Sequence, residues 1–187
     1  TLALTTVFMG SMLAYKEKLL KRRLAYSTVS QVSYVLFGLF LLHPLGFLGA
    51  LMQVVFHAVA KNILFLGAGT IIYKTGKTFV YELKGLGKEM PIVMWTFAIA
   101  SLSLIGIPPT AGFVSKWYLA QGGLQPDFGT LGLVGVAVLM VSALLTAGYL
   151  LPIVSAAFFP GKDFDHESVI KQQDTWLMWT TLCLLTA

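Results

Sequence analysis

Lys61 lies near the middle of a long apolar run, residues 46–73 (GFLGALMQVVFHAVAKNILFLGAGTIIY), with His57 one turn and Gln53 two turns before it. At i, i+4 and i+8 the three side chains stack on one helix face. At ~1.5 Å of rise per residue, Lys61 is roughly 20 Å from either end of the run. An ionisable group at such depth in a bilayer costs about 2.5–3.5 kcal/mol to insert. Groups that titrate or hydrogen-bond, in line through apolar surroundings, have the chemistry of a proton relay. A second interior lysine, Lys116, follows seven residues after Pro109. Two further stripes, Ser27/Gln31/Tyr34 and Ser142/Thr146/Tyr149, each share a helix face. They could order water into a wire, or serve as plain hydrogen bonds between helices.

The elements that position these groups follow from composition. Of 187 residues, 57% are hydrophobic and 11% charged, and mean hydropathy is +0.79. Such values exclude an ordinary soluble domain and predict an all-α, polytopic helical membrane protein. Residues 1–15 read as the tail of a spanning helix, 25–42 as a second and 46–73 as a third. A polar loop is expected over 74–90. Residues 91–121 would form a helix of roughly 46 Å if straight, against a hydrocarbon core of about 30 Å. Gly106-Ile107-Pro108-Pro109 interrupts that segment. Two prolines remove two backbone donors and clash with the preceding turn, so a break is expected at Gly106, Pro108 and Pro109. Broken helices at membrane depth are a transporter feature. A turn at 122–129, a helix over 130–158 with a kink at Pro152, a loop at 159–174 and a further helix from about Thr175 complete the reading. Both end segments are shorter than a full span, which predicts an internal piece of a longer chain, or an incompletely assigned one. The expectation is four complete and two partial spans within a single domain over 1–187.

Charge patterning orients these spans. The loops 16–23, 74–90 and 159–174 hold eleven of the thirteen Lys and Arg, and the alternate loops hold none. The positive-inside rule assigns the basic loops to the cytoplasmic face, or to the matrix or stromal face in an organelle. The net charge of +5 therefore reflects membrane topology and does not point to nucleic acid. The two remaining cations are Lys61 and Lys116, and all eight Asp and Glu fall in loops or at helix ends. A lysine in oil with no local acid can give up and regain a proton, as a carrier must. The alternatives are a static counter-ion or, for Lys116, snorkelling to the interface. Cys183 reads as a packing residue, and His43 and His166 as loop or interface residues.

LKRRLAYSTVSQVSY, HAVAKNILFLGAG and GIPPTAGFVSKWYL, in this order and spacing, resemble the antiporter-like subunits shared by respiratory complex I (proton-pumping NADH:quinone oxidoreductase) and the multisubunit Mrp Na+/H+ antiporters. The wording of the last is most similar to the Mrp D-type subunit or to related subunits of membrane-bound hydrogenases. The resemblance implies about fourteen helices in two five-helix inverted repeats. This chain would hold most of the second repeat, the C-terminal part of that domain, with the N-terminal helices absent. It also implies a midplane proton path in which Lys61, its partner His57 and Lys116 take part. Some complex I members carry a second histidine where this chain has Gln53. The family's glutamate–lysine pair would lie on earlier helices.

The expected function is a membrane subunit that translocates protons, or exchanges Na+ for H+, within a multisubunit assembly. It would lie in a bacterial or archaeal cytoplasmic membrane, or an organellar inner or thylakoid membrane. Its partners would be other membrane subunits and the lipid bilayer. No cofactor or metal is expected, because the chain has no cysteine cluster, dinucleotide fingerprint or carboxylate cage. Redox catalysis would then belong to neighbouring subunits. The rival readings are a structural subunit with inert lysines and an intramembrane enzyme on lipid or peptide, for which no buried acid or ligand set is visible.

Overall fold

A computed structural model describes residues 2–160. The helix expected near Thr175, most of the loop before it, His166 and Cys183 lie outside the described residues. Within them the chain is helical, with α1 (Leu2–Lys16), α2 (Leu20–Phe40), α3 (Pro44–Thr75), the short α4 (Leu86–Glu89), α5 (Pro91–Ile105), α6 (Ala111–Gly123) and α7 (Gly129–Phe158).

α2 starts at Leu20, earlier than the expected residue 25, so Lys21, Arg22 and Arg23 form its first turn. The amides just before the helix and its first one are met by groups outside it. The Glu17 carboxylate accepts from the Lys18 and Leu19 amides at 2.9 and 3.1 Å, and the Thr78 carbonyl accepts from the Leu20 amide at 3.0 Å. α3 begins on Pro44, whose missing N–H costs nothing at the first helical position. Its 32 residues make it roughly 48 Å long. It is the central element, packed on α2, α5 and α6.

The segment after α3 is more ordered than the polar loop expected there. A 3₁₀ turn at Val80–Leu83 precedes α4, and Leu83 and Leu86 are fully buried. Glu82 accepts from the Thr78 and Phe79 amides at 3.0 and 2.9 Å. An isolated antiparallel bridge pairs Leu19 with Phe79, so two of the basic loops meet at one end of the helices.

α5 stops at Ile105 and α6 starts at Ala111, with Gly106 in the left-handed region at φ +87°. The Pro108–Pro109 bond is cis. A Cβ on Gly112 would collide with the Ser103 carbonyl, so the two half-helices overlap closely across the break. α7 carries Pro152 inside a continuous helix.

Two buried apolar clusters hold the bundle. The larger joins α2, α3, α5 and α7 through residues such as Leu24, Leu64, Phe97 and Leu150. The smaller joins α1, α2, α6 and α7 through Val7, Phe37, Leu119 and Leu139. The outer faces are also apolar: on α7 Leu131, Met140 and Leu144 are exposed. α3 and the stretch Pro126–Phe158 are long and apolar enough to cross a membrane, while α1 and α5 are apolar but shorter.

Candidate functional site

Lys61 is 6% exposed. Its Nζ donates to the Leu24 carbonyl at 2.7 Å and to the Ser27 hydroxyl, and lies 5.9 Å from the centre of the Phe65 ring. All of these are neutral partners, and among the described residues Lys61 makes no ion pair. The Leu24 carbonyl that receives the ammonium also accepts from the hydroxyls of Ser27 and Thr28 at 2.8 and 3.1 Å. A dense knot of oxygen dipoles on α2 thus takes the place of a counter-ion.

Lys116 meets the broken helix. Its side chain runs back beside Gly106, where an added Cβ would lie 2.9 Å from the lysine Cδ. Nζ donates to the Leu104 and Ile105 carbonyls at 2.6 and 2.7 Å. These carbonyls belong to the last turn of α5, where orphan acceptors and the negative end of the helix dipole favour a cation. The Tyr34 ring adds a cation–π contact at 5.5 Å. The lysine therefore turns inward to the break; it does not snorkel outward.

His57 has both ring nitrogens buried with no hydrogen-bond partner among the described residues. It is within electrostatic range of both Lys61 and Lys116. A cavity of about 10 Å³ beside it is lined by Gln53, His57, Ser103 and Gly112 among others. That is near the lower limit of space for one water, and the polar lining supplies partners for it.

Gln53, on the same helix as His57 and Lys61, has direct side-chain partners on two other helices. Its amide nitrogen donates to Gln31 Oε1 at 2.7 Å, and its carbonyl oxygen accepts from Ser115 Oγ at 2.5 Å. It reaches sideways and ties α3 to α2 and α6, while still lining the cavity. The α2 stripe is likewise divided among three partners. Ser27 meets Lys61, Gln31 meets Gln53, and Tyr34 donates to the Leu139 carbonyl at 2.8 Å, with the Ser142 hydroxyl close to its phenol. On α7, Tyr149 Oη donates to Thr146 Oγ1 at 3.4 Å and lies near the Ser27 hydroxyl. Thr146 donates to the Ser142 carbonyl at 2.8 Å.

Sequence reasoning missed Ser11, Ser30 and Ser115, all fully buried. Ser115 had an available signal, since it immediately precedes Lys116. Ser11 stands alone on an apolar helix and had none. Among the described residues no group of three or more His, Cys, Asp or Glu is placed to hold a metal ion.

A family model described as "NADH:quinone oxidoreductase/Mrp antiporter, TM" matches residues 1–146. NADH-quinone oxidoreductase subunit N of Desulforudis audaxviator is 42% identical over 160 residues, covering 86% of this chain and 31% of that protein. The D-type Na(+)/H(+) antiporter subunit of Bacillus subtilis is 34% identical over 159 residues, covering 84% of this chain and 31% of that protein. A chain in the membrane-bound sulfane sulfur reductase, an archaeal respiratory membrane complex, superposes with a TM-score of 0.85 at 33% identity over 99% of this chain and 30% of its own length. The sequence thus spans about 31% of the length of the first two relatives.

Proposed function

The chain belongs to the NADH:quinone oxidoreductase/Mrp antiporter family of membrane subunits, and from that premise we propose that it moves protons through the bundle interior between Lys61 and Lys116. The observation that carries this reading is the pair of interior ammonium groups. Among the described residues each is held by carbonyls, hydroxyls or an aromatic ring and by no acid, and near both is an imidazole with both nitrogens unengaged. Fixed anions would lock the lysines in their charged form; neutral oxygen dipoles leave the proton exchangeable. His57, with one water in the adjoining cavity, bridges the two. Ser27, Tyr149, Thr146, Ser142 and Tyr34 supply a hydroxyl route along α2 and α7. Gln53 and Gln31 act as a clamp beside the path, because an amide is a poor proton carrier.

We read α1, α2, α3, the broken pair α5/α6 and α7 as membrane spans, with the basic loops on the cytoplasmic side. The domain is the C-terminal part of an antiporter-like subunit in a complex I-like or Mrp-type assembly. The two named relatives, an NADH-quinone oxidoreductase subunit and a Na(+)/H(+) antiporter subunit, support a role beside other membrane subunits. Na+ is a candidate second cargo in the antiporter case.

The test is proton translocation by the assembled complex in sealed vesicles. Lys61→Ala abolishes it while the complex remains assembled, and Lys116→Ala does the same. A Lys61→Ala complex that stays fully coupled rules the reading out. Normal flux in Lys116→Ala would leave that lysine a structural role only.

A further inference from the structure

We infer that Ser11, Ser30 and Ser142 form a proton-relay junction, joining the Lys61 line to a third arm that crosses α1 by way of Ser33 and Thr6. The inference rests on the proton-path reading above and adds a branch that this reading does not contain.

The three hydroxyls come from three helices, α1, α2 and α7, and all are fully buried. Ser11 lies 2.6 Å from Ser142 and 2.8 Å from Ser30, and Ser30 lies 3.1 Å from Ser142. Gly10 makes the ring possible, because a Cβ there would stand 2.8 Å from the Ser30 backbone nitrogen and push α1 off α2. A buried serine on a helix has a simpler way to satisfy its hydroxyl, namely the carbonyl one turn back. Thr28, Ser33, Thr70 and Thr146 all use it. Ser11 and Ser142 instead bond to other side chains.

Each serine has one donor and two acceptor sites. Ser30 has an outlet for its proton in the Val7 carbonyl at 2.9 Å. Either partner can donate within each pair of the ring. The ring can therefore hold its protons in more than one sense while keeping every hydroxyl bonded. That is what a junction needs: a proton received on one oxygen is matched by release of another from a neighbour, and the hydroxyls then turn back. No carboxylate takes part, and the oxygens already bond to one another, so the ring is not built around a cation.

Three arms meet here. Ser142 lies close to the Tyr34 phenol, whose ring centre is 5.5 Å from the Lys116 ammonium. Along α7, Thr146 and Tyr149 lead toward Ser27, which holds Lys61. On α2, Ser33 is one turn from Ser30 and accepts from Thr6 Oγ1 at 2.8 Å, on the half-buried side of α1. The steps from Thr146 to Ser142 and from Ser30 to Ser33 each span one helix turn, and these, like the steps from Ser142 to Tyr34 and from Tyr149 to Ser27, need a bridging water or a hydroxyl rotamer change.

The experiment is dye-reported proton flux in the full-length complex reconstituted in vesicles. Ser142→Ala and Ser30→Ala each lower flux about tenfold, the rate counterpart of one interior hydrogen bond lost at the transfer barrier, with assembly unchanged. Ser142→Thr, which keeps a hydroxyl, restores it. Wild-type flux in both alanine variants, with Lys61→Ala still inactive, overturns the junction and leaves the lysine path standing. Wild-type flux in Lys61→Ala removes both. If Ser142→Ala fails to assemble, Thr6→Val decides: reduced flux supports the α1 arm, and unchanged flux overturns it.

Discussion

At the scale of the residue, the two lysines solve one problem in two ways. Lys61 uses a mid-helix carbonyl that two hydroxyls also address. Lys116 uses carbonyls that a helix break sets free. Among the described residues both arrangements hold an ammonium without an anion. Gln53 plays a different part. Gln53→Leu removes the partner of Gln31 Oε1 and of Ser115 Oγ. Unmade interior hydrogen bonds of this kind cost about 1–3 kcal/mol each in water-soluble proteins and nearer ~0.6 kcal/mol in membranes. We expect a loss of about 1–2 kcal/mol in unfolding measurements in detergent, with proton flux reduced through the shifted α6. A Gln53→Leu variant that keeps its stability yet loses flux would make Gln53 a direct carrier.

At the scale of the element, the break between α5 and α6 is the part on which Lys116 depends. Gly106 meets two demands there, a φ of +87° and passage of the lysine stem within contact of its own Cα hydrogens. Gly106→Ala should destabilise the fold by about 1–2 kcal/mol through the left-handed backbone alone, and displace Lys116 from its two carbonyls. Thermal unfolding and flux measured together check this, and an alanine variant equal to wild type in both would show that the break tolerates a side chain. The turn between α1 and α2 carries a pH dependence. Amide donation from Leu19, opposed by partial desolvation and aided by the Lys18 amide, Arg22 and Arg23, holds the Glu17 carboxyl below its ordinary value of 4.5. A lowered folded pKa means that the cap is at full strength above the ordinary value and is lost as pH falls through the lower one. Hydrogen exchange at the Lys18 and Leu19 amides, corrected for intrinsic rates, should accelerate only on acidification below that range. The acceleration should be absent in Glu17→Gln.

At the scale of the whole molecule, the bridge between Leu19 and Phe79 brings two basic loops together, while Pro126–Phe128 lies in a turn between α6 and α7 with no basic residue. With Cys183 replaced by Ser, a cysteine at Lys18 should react with a membrane-impermeant thiol reagent from the cytoplasmic side. One at Gln125 should react only from the opposite side. The reverse pattern would invert the orientation, and labelling of both from one side would remove the spanning arrangement.

The sequence by itself determined what is local. Apolar runs, two prolines after a glycine, and a lysine far from either end of its segment are readable because helix rise and period depend only on neighbours along the chain. The stripes on α2 and α7 were legible for the same reason, as faces. Tertiary structure decided which oxygen each face meets. That choice depends on how closely helices approach, and close approach is set by distant pairs such as Gly10 with Ser30 or Gly112 with Ser103. Lys116 turns back onto α5, Gln53 reaches sideways and three serines close into a ring because those contacts place the backbones. Helical periodicity carries no information about a partner on another helix.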